Sequence, residues 1–200
     1  MASPMVSTSI LRDQLKGVLE QAPSVIAGPD ARPAAVLVPV LVSTHRPRLV
    51  FTRRSDTLSR HPGEISFPGG MVDPGEDLFE AALREAEEEL GLLPSDVELL
   101  GALDPVHTHV TGMLIVPFVG LLSTDPQFTP NEAEIAEVLE FPLDDLSRKG
   151  ALKELRFEGR TFETNLFDMD GHVIWGATAR ILRSFLDLVE ALPVRDRKEA

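Results

Sequence analysis

The chain has 200 residues, 43% of them hydrophobic, no cysteine and a formal net charge of −13. That is enough apolar material for one core, while the missing cysteines exclude disulfides, thiolate metal sites and thiol nucleophiles. The negative charge argues against a general nucleic-acid binder, because phosphate backbones demand cations. No apolar run approaches the roughly 20 residues of a membrane span. The start MASPMVSTSILRDQLK lacks a basic segment followed by an apolar one, and the end RKEA carries no address tag; a cytoplasmic protein is the expectation.

In chain order, residues 9–20 place Leu11, Leu15, Val18 and Leu19 at helical spacing, with Ser9 as N-cap. A Pro/Gly-broken connection follows over 22–33. Residues 34–43 and 48–55 read as strands joined by a short turn at 44–47, the first apolar enough to be buried on both faces. The loop SRHPGEISFPGG holds one short strand around Ile65–Phe67. A helix is expected over 77–90, with Phe79, Leu83, Ala86 and Leu90 facing the core and Gly91 ending it. Strands near 97–104, 113–122 and 135–141 come next, then a short helix near 143–148. A strand pair near 153–167 and 172–175 precedes a last helix over 177–191, which carries Ile181, Leu182, Phe185, Leu188 and Val189. There is no internal repeat, and helices and strands alternate without a compositional break. One mixed α/β domain is the simplest account.

The stretch REAEEE concentrates Glu85, Glu87, Glu88 and Glu89 on the helix over 77–90. Like charges three and four apart repel by a few tenths of a kcal/mol, so the run calls for a reason. Glu85, Glu88 and Glu89 fall within about 100° of one another beside the apolar stripe, and Glu87 points away. Three carboxylates on one patch suit a hard divalent cation, which takes oxygen ligands. Upstream, GGMVDPGE supplies Gly69, Gly70 and Gly75, which let a carbonyl approach an ion or a phosphate approach amides. Arg84, next to the cluster, is expected to pair with Glu76 or Glu80 and hold this loop on the helix. Arginines concentrate earlier, at Arg46, Arg48, Arg53, Arg54 and Arg60, so a basic segment precedes an acidic one.

Gly70, five residues, Glu76, seven residues, Arg84-Glu85-Ala86, one residue, Glu88-Glu89, one residue, Gly91-Leu92: this string resembles the Nudix box, with Ala86 where a larger aliphatic is common. The resemblance implies an α/β/α sandwich with a mixed central sheet and hydrolysis of a nucleoside diphosphate linked to another group, using Mg²⁺ or Mn²⁺. It also implies Glu85, Glu88, Glu89 and the Gly69 carbonyl as metal ligands, Glu85 or Glu88 as catalytic groups, and Gly70, Glu76 and Arg84 as support of the box. A further acidic ligand from outside the box is expected at Glu134 or Glu137. The domain would occupy 31–192, between an N-terminal helix and connection over 1–30 and a charged tail over 193–200.

The preceding stretch VFTRRSDTLSRHPGEISFPGG is similar to the upstream signature of the coenzyme A pyrophosphatase branch. Thr52, Arg54, Ser55, Arg60, His61, Gly63 and Phe67–Gly70 fill its places, with Phe51 for Leu and Glu64 for Gln. The tail IWGATARIL over 174–182 looks like the same branch. That implies a CoA-like small molecule as substrate, cleaved to 3′,5′-adenosine bisphosphate and (acyl-)4′-phosphopantetheine. Extra anionic charge calls for extra arginines, so Arg54 and Arg60 are the first candidates for binding it, then Arg53 and His61. Strand alternation puts Arg53 and Arg54 on opposite faces. Neither nucleic acid nor membrane is an expected partner, and the N-terminal helix leaves a homodimer open. His107 and His109 lack a third nitrogen or sulfur ligand and read as ordinary loop or pocket residues; Trp175 reads as packing under the last helix, with stacking on an adenine as the alternative. The rival readings are a Nudix pyrophosphatase for ADP-ribose or another nucleoside diphosphate, and a catalytically idle nucleotide-binding module.

Overall fold

A computed structural model describes residues 8–21, 32–43, 46–108, 112–157 and 160–193. The elements are α1 (Thr8–Val18), β1 (Arg32–Leu41), β2 (Arg48–Arg54), β3 (Ile65–Ser66), β4 (Gly69–Met71), α2 (Leu78–Leu90), β5 (Glu98–Ala102), β6 (Val106–His107) and β7 (Met113–Leu122). After these come β8 (Ile135–Pro142), α3 (Leu143–Lys149), β9 (Gly150–Phe157), β10 (Arg160–Met169), β11 (His172–Ile174) and α4 (Gly176–Ala191).

The spine of the main sheet is β1, paired in parallel with β7 over its whole length, Arg32 to Leu41. The other edge of β1 is shared. Antiparallel β2 pairs with its end at Val40 and Leu41, and β4 pairs with its start at Ala34, Ala35 and Val36. Strand β2 then diverges from β1, taking β3 at Thr52 and Arg53 and β8 along its opposite side. The divergence lets the chain between β2 and α2 run beside two strands at once. A separate antiparallel meander, β9-β10-β11, packs near α3, α4 and β3.

Side-chain alternation along β1 feeds two cores. Ala35, Leu37 and Leu41 join Ala81, Ala82, Ala86 and Leu90 of α2 on one face. Val38 and Val40 join Leu11, Leu15 and Leu19 near α1, and Ile181, Leu182 and Phe185 of α4, on the other. The result is the α/β/α sandwich with a mixed central sheet. The expected single domain fits a sheet whose two faces are both covered.

Several local expectations need correction. Ser9 lies inside α1 rather than capping it. Val18 is 53% exposed, because Leu11, Leu15 and Leu19 at spacing four take the buried stripe of so short a helix. The expected strand pair near 153–167 and 172–175 is a three-stranded meander, β9-β10-β11, with a described turn at 170–171. Strands β4 and β6 had no sequence signal, each being two or three residues long and rich in glycine or adjoining a loop. The connection over 22–31, part of the turn over 44–47, His109 and residues 194–200 lie outside the described residues. No described helix is long and apolar enough to cross a membrane.

Candidate active site

Helix α2 starts where the Asp77 carboxylate accepts from the Phe79 and Glu80 amides at 2.8 and 3.2 Å. It ends where Gly91, at φ 66°, turns its N–H back to the Ala86 and Glu87 carbonyls. The side it lays on the sheet is built of Ala81, Ala82 and Ala86, small enough for a close approach to β1 and β4. Seven residues after Ala82, Glu89 falls on the same side and is only 4% exposed. Phe79 and Leu83, expected at the centre of the apolar stripe, are only half-buried at its edge.

The Glu89 carboxylate accepts from the Gly69 N–H at 3.3 Å. Burial pushes its pKa up to about 8; the charges of Glu85 and Glu134 act in the same direction, while the Gly69 N–H and Arg54 oppose them. Glu85 rests on Gly70, where an added Cβ would stand 2.5 Å from the carboxyl carbon. Burial raises the Glu85 pKa also, opposed by Arg84, whose Nη1 donates to it at 2.8 Å. Glu88 is more open, its side chain 59% exposed, and accepts from the same Arg84 nitrogen at 3.3 Å. Glu87 faces solvent.

Arg84 is bonded to Glu76 and not to Glu80. Its Nε donates to Glu76 at 2.8 Å, and its Nη2 donates to the Met71 carbonyl at 3.1 Å. One guanidinium thus ties the turn after β4 to the helix and also contacts two of the clustered glutamates. Among the described residues, no three carboxylate or imidazole groups converge closely enough to hold an ion in this conformation. The donor set is nevertheless all hard oxygen, two of its carboxyls are held partly desolvated without full charge compensation, and Gly70 leaves the space that Glu85 fills. Those features fit a divalent cation.

Alternation along β2 separates the two adjacent arginines. Val50, Thr52 and Arg54 face α2; Leu49, Phe51 and Arg53 face the opposite core. Arg53 is engaged there by Asp56, at 3.2 Å, and by Glu137, at 3.4 Å. Arg54 makes no ion pair among the described residues, and its Nε is buried without an acceptor. It is instead close enough to Glu89 to lower that group's pKa.

The structure also separates the two outside carboxylates. A bulge opposite Arg53 and Arg54 lets Ile135 follow the register while Glu137 turns to Arg53 and, at 3.5 Å, to His172, on the face away from α2. Glu134 lies towards Glu85 and Glu89, both of which its charge affects. It is brought there by backbone bonds from Thr129 to Leu90, from Asn131 to Glu89, and from Ser55 to the Glu134 carbonyl at 2.7 Å. The Asn131 side chain accepting from the Ala133 amide is the turn signal in the sequence that marks this approach.

The loop between β2 and β3 is closed on Arg54 itself, whose N–H donates to Glu64 and whose carbonyl accepts from Gly63. Arg60 and His61 are exposed on it. His61, at φ 54°, sits 2.9 Å from the Glu64 carboxylate. His107 is exposed on β6, and its carbonyl accepts from Arg180. Trp175 stands at the N-cap of α4, half-buried beside Arg53 rather than wholly beneath the helix.

The sequence profile of the NUDIX domain matches residues 31–164. Nudix hydrolase NudL of Pectobacterium atrosepticum is 38% identical over 183 residues, covering 90% of this chain and 91% of the relative. The NudL of Citrobacter koseri is 41% identical over 155 residues, covering 76% and 80%. Among solved structures, an Ap4A hydrolase binary complex from C. elegans aligns with TM-score 0.58 at 17% identity, over 81% of this chain and all of that one (100%). The Nudix hydrolase RenU from M. smegmatis aligns with TM-score 0.57 at 17% identity, over 83% and 90%.

Proposed function

The chain belongs to the NUDIX family, and on that premise we propose that it hydrolyses the diphosphate of coenzyme A or a CoA derivative. The products would be 3′,5′-adenosine bisphosphate and (acyl-)4′-phosphopantetheine. Membership of the family carries hydrolysis of a nucleotide phosphoanhydride. The CoA reading is supported chiefly by Arg54, a half-buried guanidinium beside the glutamates that makes no ion pair among the described residues and whose Nε is buried without an acceptor. A polyanionic substrate would supply both the charge and the acceptor. Arg60, on the loop closed over Arg54, would meet a further phosphate.

In this reading Glu85, Glu88, Glu89 and the Gly69 carbonyl would hold Mg²⁺ or Mn²⁺, with Glu134 as the acid from outside the box. Held there, such an ion would supply charge neutralisation for the diphosphate and a lower pKa for a water. The chain's own part is to orient these oxygens. Gly70 seats Glu85, the Gly69 N–H holds Glu89, and Arg84 with Glu76 fixes the turn against the helix. Arg84 must release Glu85 and Glu88 for them to serve as ligands or as general base. Because α4 completes the core beyond residue 164, the proposed catalytic unit is 31–192, in the cytoplasm.

The test is a substrate panel with Mg²⁺ or Mn²⁺: CoA, dephospho-CoA, ADP-ribose, a dinucleotide polyphosphate and dNTPs, with products resolved by chromatography. CoA cleaved to the adenosine bisphosphate, well ahead of ADP-ribose, is the expected result. Preference for ADP-ribose would refute the CoA reading and leave the hydrolase intact.

A further inference from the structure

On the face of β2 turned away from the glutamates lies a second, open cleft of about 420 Å³. One wall is the segment Pro62–Ile65 beside Arg53; the other is the β10–β11 turn, with His172, Val173 and Trp175. Its charge balance differs from that around Arg54. Arg53 is already engaged by Asp56 and Glu137, and Glu64, on the same wall, adds a third carboxylate to the one guanidinium. His172 stands 3.5 Å from Glu137. Glu64 is itself met by His61 at 2.9 Å, and among the residues that line the cleft no cation is left over for a phosphate, so the lining disfavours anions. It offers an indole surface and a rim rich in hydrogen-bond acceptors, which suit a neutral planar heterocycle carrying N–H donors. At Gly63, φ 70°, an added Cβ would lie 2.9 Å from the Asp56 carboxylate, so glycine keeps this wall clear.

We propose that this cleft binds the purine base of the substrate, stacked on Trp175 with its exocyclic amine towards Glu64, while the phosphates go to Arg54. The inference rests on the reading of the substrate as an adenine nucleotide derivative. One continuous segment serves both places. Pro62–Ile65 lines the cleft, and Gly69 and Gly70 touch Glu89 and Glu85. Four residues of extended chain between Ile65 and Gly69 span at most about 14 Å, a distance that a ribose and its phosphates can bridge.

Trp175 is the only tryptophan in the chain, so its fluorescence reports on this cleft without any turnover. The wild-type protein, metal-free, is titrated with adenosine, 3′,5′-adenosine bisphosphate, cytidine and 4′-phosphopantetheine. Saturable quenching by both adenine compounds is expected, with weaker quenching by cytidine and none by phosphopantetheine. Trp175→Ala is expected to raise KM for the adenine-bearing substrate about 10-fold, the scale of one base–aromatic stack, by more than any fall in kcat; Trp175→Phe should restore most of it. No quenching by adenosine, equal quenching by cytidine, or an unchanged KM would overturn the assignment. CoA turnover without adenine quenching would overturn the cleft alone. Saturable adenine quenching in a protein that cleaves no CoA would support the cleft and refute the CoA reading.

Discussion

Gly70→Ala separates catalysis from stability at one atom. The Gly70 φ is negative, so alanine can adopt the backbone, and the reduced entropy of the unfolded chain contributes roughly 0.4–1 kcal/mol in favour of folding. The new Cβ would stand 2.5 Å from the Glu85 carboxyl carbon, and restoring ordinary contact requires the carboxylate to move by about 1 Å. Loss of the Arg84–Glu85 pair costs at most about 1 kcal/mol at this partly exposed position. The two stability terms nearly cancel, and Tm should move by less than about 4 °C for a chain of this size. A displacement of about 1 Å at a reacting group costs on the order of 10²-fold in rate, or about 2.7 kcal/mol of barrier. The assay is kcat/KM with saturating Mg²⁺ alongside thermal unfolding. Gly17→Ala serves as the control, since nothing lies within 4 Å of the added atom and only a small gain in helix stability is expected. A Gly70→Ala enzyme within three-fold of wild-type activity would refute the role of Glu85 and of the seat beneath it.

Gly69→Ala should behave oppositely. Its φ of 152° and an added Cβ 2.3 Å from the Ala35 carbonyl and 2.6 Å from the Val36 Cα set the nearest clashes on backbone, which cannot swing aside, so a loss of about 3 kcal/mol, or roughly 6–12 °C in Tm, is expected in thermal unfolding. Glu89 carries a pH signature in the metal-free protein. Its folded pKa, about 8, exceeds its ordinary value, so its contribution to stability is complete below about pH 4.5 and lost as pH rises through 8. Denaturant unfolding in EDTA should show stability falling over that range, and Glu89→Gln should flatten the fall; an unchanged slope would contradict the burial of this carboxyl. Glu98 has the opposite sign, its pKa lowered by hydrogen bonds from Arg12 and then Lys16. Its stabilisation is present above its unfolded pKa and lost as pH falls through the depressed value, so Arg12→Ala should expose α1 to proteolysis at neutral pH and matter less in acid.

The box was legible because it is local. Helical spacing alone placed Glu85, Glu88 and Glu89 together, Gly91 announced the end of the helix, and the pattern from Gly70 to Leu92 identified the family. The period of two along β2 sent Arg53 and Arg54 to opposite faces before any fold was known. Other features were beyond the sequence because they depend on chains that meet from far apart. Nothing in the spacing separates Glu89 from Glu85 and Glu88 until β1 and β4 close over α2 and remove it from water, leaving it 4% exposed. Glu134 and Glu137 differ by three residues and were indistinguishable until a bulge against β2 turned one towards Arg53 and a loop tied to the end of α2 left the other beside the box. The short strands β4 and β6 exist only because β1 and β7 offer them an edge, pairing that no two- or three-residue propensity encodes. Local periodicity therefore determined which residues share a face, and tertiary closure decided which of those faces is dry. Desolvation is a property of the assembled surface, and no residue carries it alone.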